Sequence, residues 1–275
     1  MKFSMEQAWN EAVAMMSGNR EVLGIVAGIF FFLPSLLTTM VGPDMNSMMG
    51  NISTPEQFEQ LGEQMMGVYA NFWWIFAIAM IAQFVGYLSL LALLRDDAKP
   101  TVGDAIMTGI KGVIPAFVTY VLFILGLSVL VGAMFALAAV TGVQAVAAIA
   151  VILLIPVALY VSVKVSLSAP VIAIDKVFNP LTVLARSWRL TKGNSLRLFL
   201  FFVLLLIVYV VIAMVLGLAL GGLAAIAGDI GGKFIQGVLG GALGAVATVV
   251  MVSILASIHR QLSGPSVAAV SETFG

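Results

Sequence analysis

Five of the thirteen lysines and arginines of this chain lie between residues 168 and 200. Guanidinium and ammonium groups bind phosphate oxygens, and a planar guanidinium can do so through two hydrogen bonds. Beside long apolar sequence, such groups favour the anionic headgroups of a membrane surface. The residues that we predict to contact lipid headgroups are Arg186, Trp188, Arg189, Lys192 and Arg197.

The sequence around these residues predicts an amphipathic helix on the membrane surface. Asn179 is a suitable N-cap, Pro180 suits the first helical position, and Gly193 is a helix stop. The alternative is a cytoplasmic loop whose charges serve only to set the topology. On the helical interpretation, three apolar residues at spacings i, i+3 and i+7 face the lipid, away from the arginines: Leu181, Leu184 and Trp188.

The chain lacks the residue combinations that are typical of catalytic and metal sites. It has no cysteine and a single histidine, His259, which excludes thiolate chemistry and a histidine-rich metal site. The HExxH, P-loop and GxSxG motifs are absent, and the apolar stretches contain no pair of carboxylates. Five methionines between residues 43 and 67 are more typical of flexible packing than of a soft-metal site. We therefore predict no catalytic residue, no metal and no cofactor.

The composition indicates an integral membrane protein. Hydrophobic residues make up 61% and charged residues 9% of the 275 residues, and the mean hydropathy is +1.13. Soluble domains carry about 25% charged residues, so this chain cannot cover a surface that faces water. About 20 apolar residues cross a bilayer core, and six stretches meet this requirement: 22–42, 70–94, 113–140, 145–167, 196–220 and 238–258.

An amphipathic segment that ends at a glycine precedes each pair of apolar stretches. In the first segment, Ser4 and Gln7 form a capping-box pattern, and Glu11 falls on the polar face. We predict an all-α membrane domain over 1–275, with six transmembrane helices as three hairpins, each preceded by an amphipathic cytoplasmic interfacial helix. Coincidence is the alternative, because amphipathic connectors are common. The segments are 4–17, 101–112 and 179–192, with stops at Gly18, Gly112 and Gly193, and the sub-repeats span about 1–95, 100–169 and 179–262.

The distribution of basic residues predicts the orientation. Twelve of the thirteen fall on one side of the six spans, and only Lys233 falls on the other. Both termini are therefore expected in the cytoplasm, with the loop over 43–67 outside. Within this loop, Thr54-Pro55 predicts the start of a short helix that packs over the outer end of the bundle. Its apolar side consists of Phe58, Leu61 and Met65.

Polar and small residues inside the spans predict how the helices pack. Gln83 is expected to face another helix, because an unpaired amide in lipid is costly. Lys164 lies close enough to the interface for its ammonium group to extend toward water, and Pro34 predicts a kink. Glycines four residues apart predict close helix contacts: Gly24/Gly28, Gly217/Gly221, Gly237/Gly241 and Gly240/Gly244.

The segment SAPVIAIDKVFNPLTVLARSWRLTKGNSLRLF, residues 168–199, resembles a signature of one bacterial membrane-domain family. This family is the membrane domain of some glycerophosphoryl diester phosphodiesterases, together with stand-alone six-helix relatives that include YciC-type inner-membrane proteins. The resemblance rests on an apolar-proline segment, a helix that contains RSWRLTKG, and a long span. The barrel that carries the phosphodiesterase's catalytic residues has no counterpart here. The resemblance therefore implies a stand-alone module of a bacterial inner membrane without that activity.

Together these patterns favour a non-catalytic integral protein of the inner membrane. We expect it to bind anionic lipid or a membrane partner and to support the organisation of the envelope and its lipids. The expected partners are membrane phospholipids and either another membrane protein or a second copy of the chain, but not nucleic acid. The alternatives are a transporter of a lipid or small amphipathic molecule, which would require an amphipathic cavity between hairpins, and a membrane-embedded enzyme that acts on phospholipids.

Overall fold

The structure is a computed structural model that describes residues 2–41, 54–95, 100–141 and 144–264. Over these ranges the chain is all-α and contains no strand. Six of the described helical segments are long and apolar enough to cross a membrane. The prediction of an all-α protein with six such helices is confirmed.

The helices are numbered α1 to α10 in chain order. A π-helical turn, Gly28–Phe32, joins the second helix to the third. The bounds are α1 Met5–Gly18, α2 Arg20–Ala27, α3 Leu33–Val41, α4 Pro55–Leu93, α5 Val102–Thr141, α6 Gln144–Val165, α7 Ser168–Ala173, α8 Pro180–Leu190, α9 Ser195–Ile226 and α10 Gly228–Ser263.

Helix α1 begins and ends where the sequence predicts, but it packs on α10 through an unexpected residue. Ser4 Oγ accepts a hydrogen bond from the Gln7 amide at 3.3 Å. The reciprocal half of the capping box is absent, because the Ser4 amide donates to Gln261 Oε1 at 3.2 Å. The prediction for Glu11 is wrong: its Oε2 faces α10 and accepts from Ser257 Oγ at 2.9 Å. Polar contacts to α10 therefore fix both the start and the middle of α1.

The predicted irregularity at Pro34 takes the form of a widened helical turn just before it. Proline has no amide hydrogen, so the carbonyl of Phe30 loses its usual donor four residues on. The chain responds with the π-helical turn Gly28–Phe32, where the Leu33 amide donates to the Gly28 carbonyl. Helices α2 and α3 thus form one bent span rather than two separate elements.

Helix α4 corrects the prediction of a short helix packed over the end of the bundle. The predicted start is right, since Thr54 and Gln57 form a complete capping box and Pro55 follows. The helix then continues without a break for 39 residues, about 58 Å, into the second span. Phe58 is 68% exposed, so this first part does not lie on the bundle. The rest of the predicted loop, residues 43–53, lies outside the described residues.

The prediction of a separate second amphipathic segment, residues 101–112, is also wrong, because residues 102–112 belong to helix α5. Asp104 and Thr101 form the predicted cap, with the Asp104 amide 3.2 Å from Thr101 Oγ1. The helix does not stop at Gly112 but runs for 40 residues to Thr141. Gly112 instead permits close packing, because a Cβ there would lie 2.7 Å from Leu88 Cδ1 and 3.1 Å from Ile172 Cγ2. The structure therefore contains separate short helices before the first and fifth spans, but not before the third.

The buried core lies at one end of the bundle. Most fully buried side chains fall within residues 88–94, 163–173 and 252–259, where α4, α6, α7 and α10 meet α1 and α8. We call this the basic end, because α8 and most of the described lysines and arginines lie there. Farther along, the helices expose apolar side chains: none of the most hydrophobic part of α5 is buried. Such a surface suits contact with lipid.

Candidate anion-binding site at the basic end

Helix α8 forms for the local reasons that its sequence indicates. Asn179 Oδ1 accepts hydrogen bonds from the amides of Leu181 and Thr182 at 3.0 and 3.3 Å, and Pro180 occupies the first helical position. The helix ends at Leu190, and Gly193 in the following turn has a φ of +81°. That conformation is strained for residues with a Cβ. The predicted helix and its glycine stop are therefore confirmed.

Helix α8 has three faces rather than two. Two residues of its predicted apolar stripe point away from the bundle, with Leu181 68% and Trp188 42% exposed. The prediction is wrong for Leu184, which is half-buried and lines a cavity against α4 and α5. A second stripe, Val183 and Ser187, is fully buried against the protein. Ser187 Oγ donates to the Lys164 carbonyl at 2.7 Å and accepts from the Leu167 amide at 3.2 Å. The sequence pattern did not predict this buried stripe, because serine is polar and is not typical of a core position.

The third face of α8 carries the cations and borders a pocket. Three of the five predicted headgroup-binding residues, Arg186, Arg189 and Lys192, line it. The pocket has a volume of about 410 Å³, and no carboxylate is among its lining residues. Its remaining lining residues are Leu190, Asn194 and Leu262. We call this the basic pocket.

One carboxylate outside the basic pocket contacts Arg186. Asp175 Oδ2 lies 2.7 Å from Arg186 Nε and 3.0 Å from His259 Nε2. Asp175 comes from the connection between α7 and α8, and His259 is a buried residue of α10. This ion pair orients the guanidinium and ties α8 to the last helix. No sequence pattern predicts the contact of Asp175 with His259, because no periodicity relates residues 84 positions apart.

Arg189 and Lys192 differ from Arg186, because neither forms an ion pair with another part of the described chain. The N-terminal segment closes the neighbouring side, where the Phe3 amide donates to Asn194 Oδ1 at 2.9 Å. The pocket thus combines one oriented guanidinium with two cations whose charge is not offset. This arrangement can hold an anion by charge and by hydrogen bonds.

The other two predicted residues lie apart from the basic pocket. Trp188 stacks edge to face on Tyr160, with ring centroids 6.0 Å apart. Lys164 Nζ lies over both rings, 5.4 Å from each centroid. Lys164 is only 2% exposed, so the prediction that it extends toward water is wrong: cation–π contacts hold it inside. Arg197 is exposed on the first turn of α9 and does not line the pocket.

The described residues include no group of three histidine, aspartate or glutamate side chains that could hold a metal. Asp175 and His259 are two side chains of these types. Arg186 Nε contacts the same Asp175 oxygen as His259 Nε2 does. The cations that line the basic pocket, Arg186, Arg189 and Lys192, can bind an anion through their fixed positive charges.

Comparisons of the chain with protein-family models, with curated proteins and with solved structures find no match.

Proposed function

We propose that this chain is a non-catalytic integral protein of a bacterial inner membrane that binds anionic phospholipid headgroups. The observation that carries the proposal is the basic pocket, where Arg186, Arg189 and Lys192 surround about 410 Å³ without a carboxylate in the lining. By holding anionic lipids, the protein supports the organisation of the envelope. From the resemblance of residues 168–199 to the membrane domain of the phosphodiesterases, we also infer a stand-alone module of a bacterial inner membrane.

The three faces of α8 support a position at the membrane surface. The exposed Leu181 and Trp188 suit the acyl region, and the buried Val183 and Ser187 pack on the bundle. The arginines on the remaining face then reach headgroup depth, as in amphipathic helices that lie in the interface. Each basic residue near an anionic surface contributes about 1 kcal/mol.

The test removes the two pocket cations that lack a carboxylate partner. In the double variant Arg189→Gln/Lys192→Gln, loss of two charges is expected to weaken binding of phosphatidylglycerol by about 2 kcal/mol, or roughly 30-fold. Binding is measured by native mass spectrometry of the protein released from nanodiscs of defined phosphatidylglycerol content. Arg186 stays unchanged, so its ion pair with Asp175 remains.

The matched control is Lys111→Gln/Lys233→Gln, which removes the same charge from two helices outside the pocket. It is expected to retain nearly all phosphatidylglycerol binding. If both double variants lose lipid equally, general charge attracts the lipid and the pocket has no specific role. If neither loses lipid while both stay folded, headgroup binding at α8 is wrong.

A further inference from the structure

A second cavity shares no lining residue with the basic pocket, although it reaches α8 at Leu184. It runs between α4, α5 and the junction of α6 with α7, and its volume is about 580 Å³. Along α4 it extends from Met80 to Leu88, a rise of about 12 Å. Sites for small molecules usually measure about 300–1,000 Å³, so this cavity, which we call the membrane groove, has the size of a ligand site.

The walls of the membrane groove are uncharged and largely apolar. Its lining residues include no lysine, arginine, aspartate or glutamate. An ionised headgroup inside would lose its hydration without gaining a counter-charge, which is strongly unfavourable. The apolar part of the wall consists mainly of Phe31, Phe84, Leu88, Ala116, Phe123 and Ile172.

Two polar side chains on α4 interrupt this apolar wall. Gln83 is exposed into the groove, and its amide forms no hydrogen bond within the described residues. This corrects the prediction that the Gln83 amide is satisfied by a neighbouring helix. Tyr87, one turn later, lines the same wall, and its hydroxyl likewise forms no hydrogen bond there. An amide without a partner in an apolar setting costs about 1–3 kcal/mol.

The other hydroxyls in the groove give a useful contrast. Thr119 Oγ1 donates to the Pro115 carbonyl at 2.7 Å, and Ser166 Oγ donates to the Val163 carbonyl at 2.8 Å. Ser168 Oγ donates to the Val165 carbonyl at 2.7 Å. Thr248 Oγ1 likewise donates to the Gly244 carbonyl at 2.8 Å. Because these hydroxyls are bound to nearby backbone carbonyls, the donors left for a ligand are Gln83, Tyr87 and the hydroxyl of Tyr120, which lines the groove from α5 and forms no hydrogen bond within the described residues.

We propose that the membrane groove binds an uncharged amphipathic molecule. Its apolar chain packs on the aromatic and aliphatic walls, and a carbonyl or hydroxyl group accepts hydrogen bonds from Gln83 and Tyr87. The ligand differs from that of the basic pocket, because the pocket is built from charge and the groove contains none. Binding in the groove therefore does not depend on headgroup binding at α8.

The test uses a monoacylglycerol with a diazirine in its acyl chain, presented to the purified protein in nanodiscs. Photolabelling is expected at residues 80–88 and 116–123, as mapped by peptide mass spectrometry. Gln83→Leu and Tyr87→Phe each remove a donor while keeping an apolar wall, so the protein is expected to fold. Each is expected to weaken labelling about three- to tenfold, the effect of one hydrogen bond.

Two controls make the result specific to the groove. Tyr209→Phe removes a hydroxyl from an exposed position on α9 and is expected to leave labelling unchanged. Excess unlabelled monoacylglycerol is expected to compete, whereas a fatty acid carboxylate or a lysophosphatidic acid of equal chain length is not. Labelling outside the groove, equal competition by the charged lipids, or full labelling of both α4 variants would overturn the proposal. Cross-links between two copies of the chain at groove residues would also overturn the proposal, because they would show that a protein helix occupies the membrane groove.

Discussion

At the level of single residues, the basic end depends on one carboxylate oxygen. Asp175 Oδ2 contacts both Arg186 Nε and His259 Nε2, which come from two different helices. His259 is almost completely buried. If the Asp175 carboxylate were removed, water could not easily replace it as the partner of His259. A buried donor or acceptor left without a partner costs about 1–3 kcal/mol.

Asp175→Asn is therefore expected to lower the thermal stability of the protein. The amide keeps the shape of the side chain but loses the negative charge that attracts Arg186. We expect a loss of about 1–3 kcal/mol, measured as a lower unfolding temperature of the detergent-solubilised protein. Glu6→Gln, which removes a carboxylate from an exposed position on α1, serves as the control. Equal unfolding temperatures for Asp175→Asn and the unmodified protein would show that this contact is not stabilising.

Lys164 and Gln83 show which features of a residue can be predicted from sequence. The position of each along its helix follows from counting residues: Lys164 lies in the last turn of α6, and Gln83 lies ten residues before the end of α4. Their neighbours depend on how α4, α6 and α8 are rotated about their axes, which no local pattern specifies. Lys164 consequently meets two aromatic rings instead of water, and Gln83 meets a groove instead of a helix.

At the level of helices, close approach depends on glycines that the pair pattern did not select. Of the four predicted pairs, only Gly237/Gly241 meets another helix, at Leu36 and Phe32. A Cβ at the other six glycines would meet nothing within 4 Å. Spacing by four residues places two glycines on one face but does not say whether a neighbour lies there. The tightest contact of α4 with α5 instead involves Gly109.

Gly109→Ala is expected to force α4 and α5 apart. The added Cβ would meet Ser89 Oγ and lie 2.5 Å from the Val85 carbonyl oxygen, and the backbone cannot move away as a flexible side chain could. Overpacking of this kind costs about 1–3 kcal/mol, measured by thermal unfolding in detergent. Gly103→Ala in the same helix is the matched control. Its nearest neighbour is 3.8 Å away, so alanine is expected to be neutral or stabilising. An equal response of the two variants would contradict this packing.

The starts of helices were predicted better than their ends. The caps at Ser4, Thr54, Thr101 and Asn179 all form, because each depends on atoms no more than four residues away. The stop at Gly112 and the short helix after Thr54 were wrong. In both cases the helix continues, and at Gly112 contacts with Leu88 and Ile172 explain the glycine.

At the level of the whole molecule, the six long helices were predictable because bilayer thickness sets their length. The concentration of the buried core at the basic end was not predictable, because bilayer thickness says nothing about it. Helices α4 and α5, at 39 and 40 residues, exceed the roughly 20 needed to cross a bilayer. Their extra turns lie at opposite ends, at the start of α4 and at the start of α5. The acidic start of α4 and the basic end then mark two sides whose assignment to cell compartments can be tested.

The basic-residue asymmetry predicts that the basic end faces the cytoplasm and the start of α4 faces outward. The chain has no cysteine, so Glu59→Cys and Thr182→Cys each provide a single thiol, at exposed positions on α4 and α8. In intact spheroplasts, a membrane-impermeant maleimide is expected to label Glu59→Cys only. After permeabilisation it is expected to label both variants equally, which controls for the reactivity of each thiol. Labelling of Thr182→Cys but not Glu59→Cys in intact spheroplasts would reverse the topology and move the basic pocket to the outer leaflet.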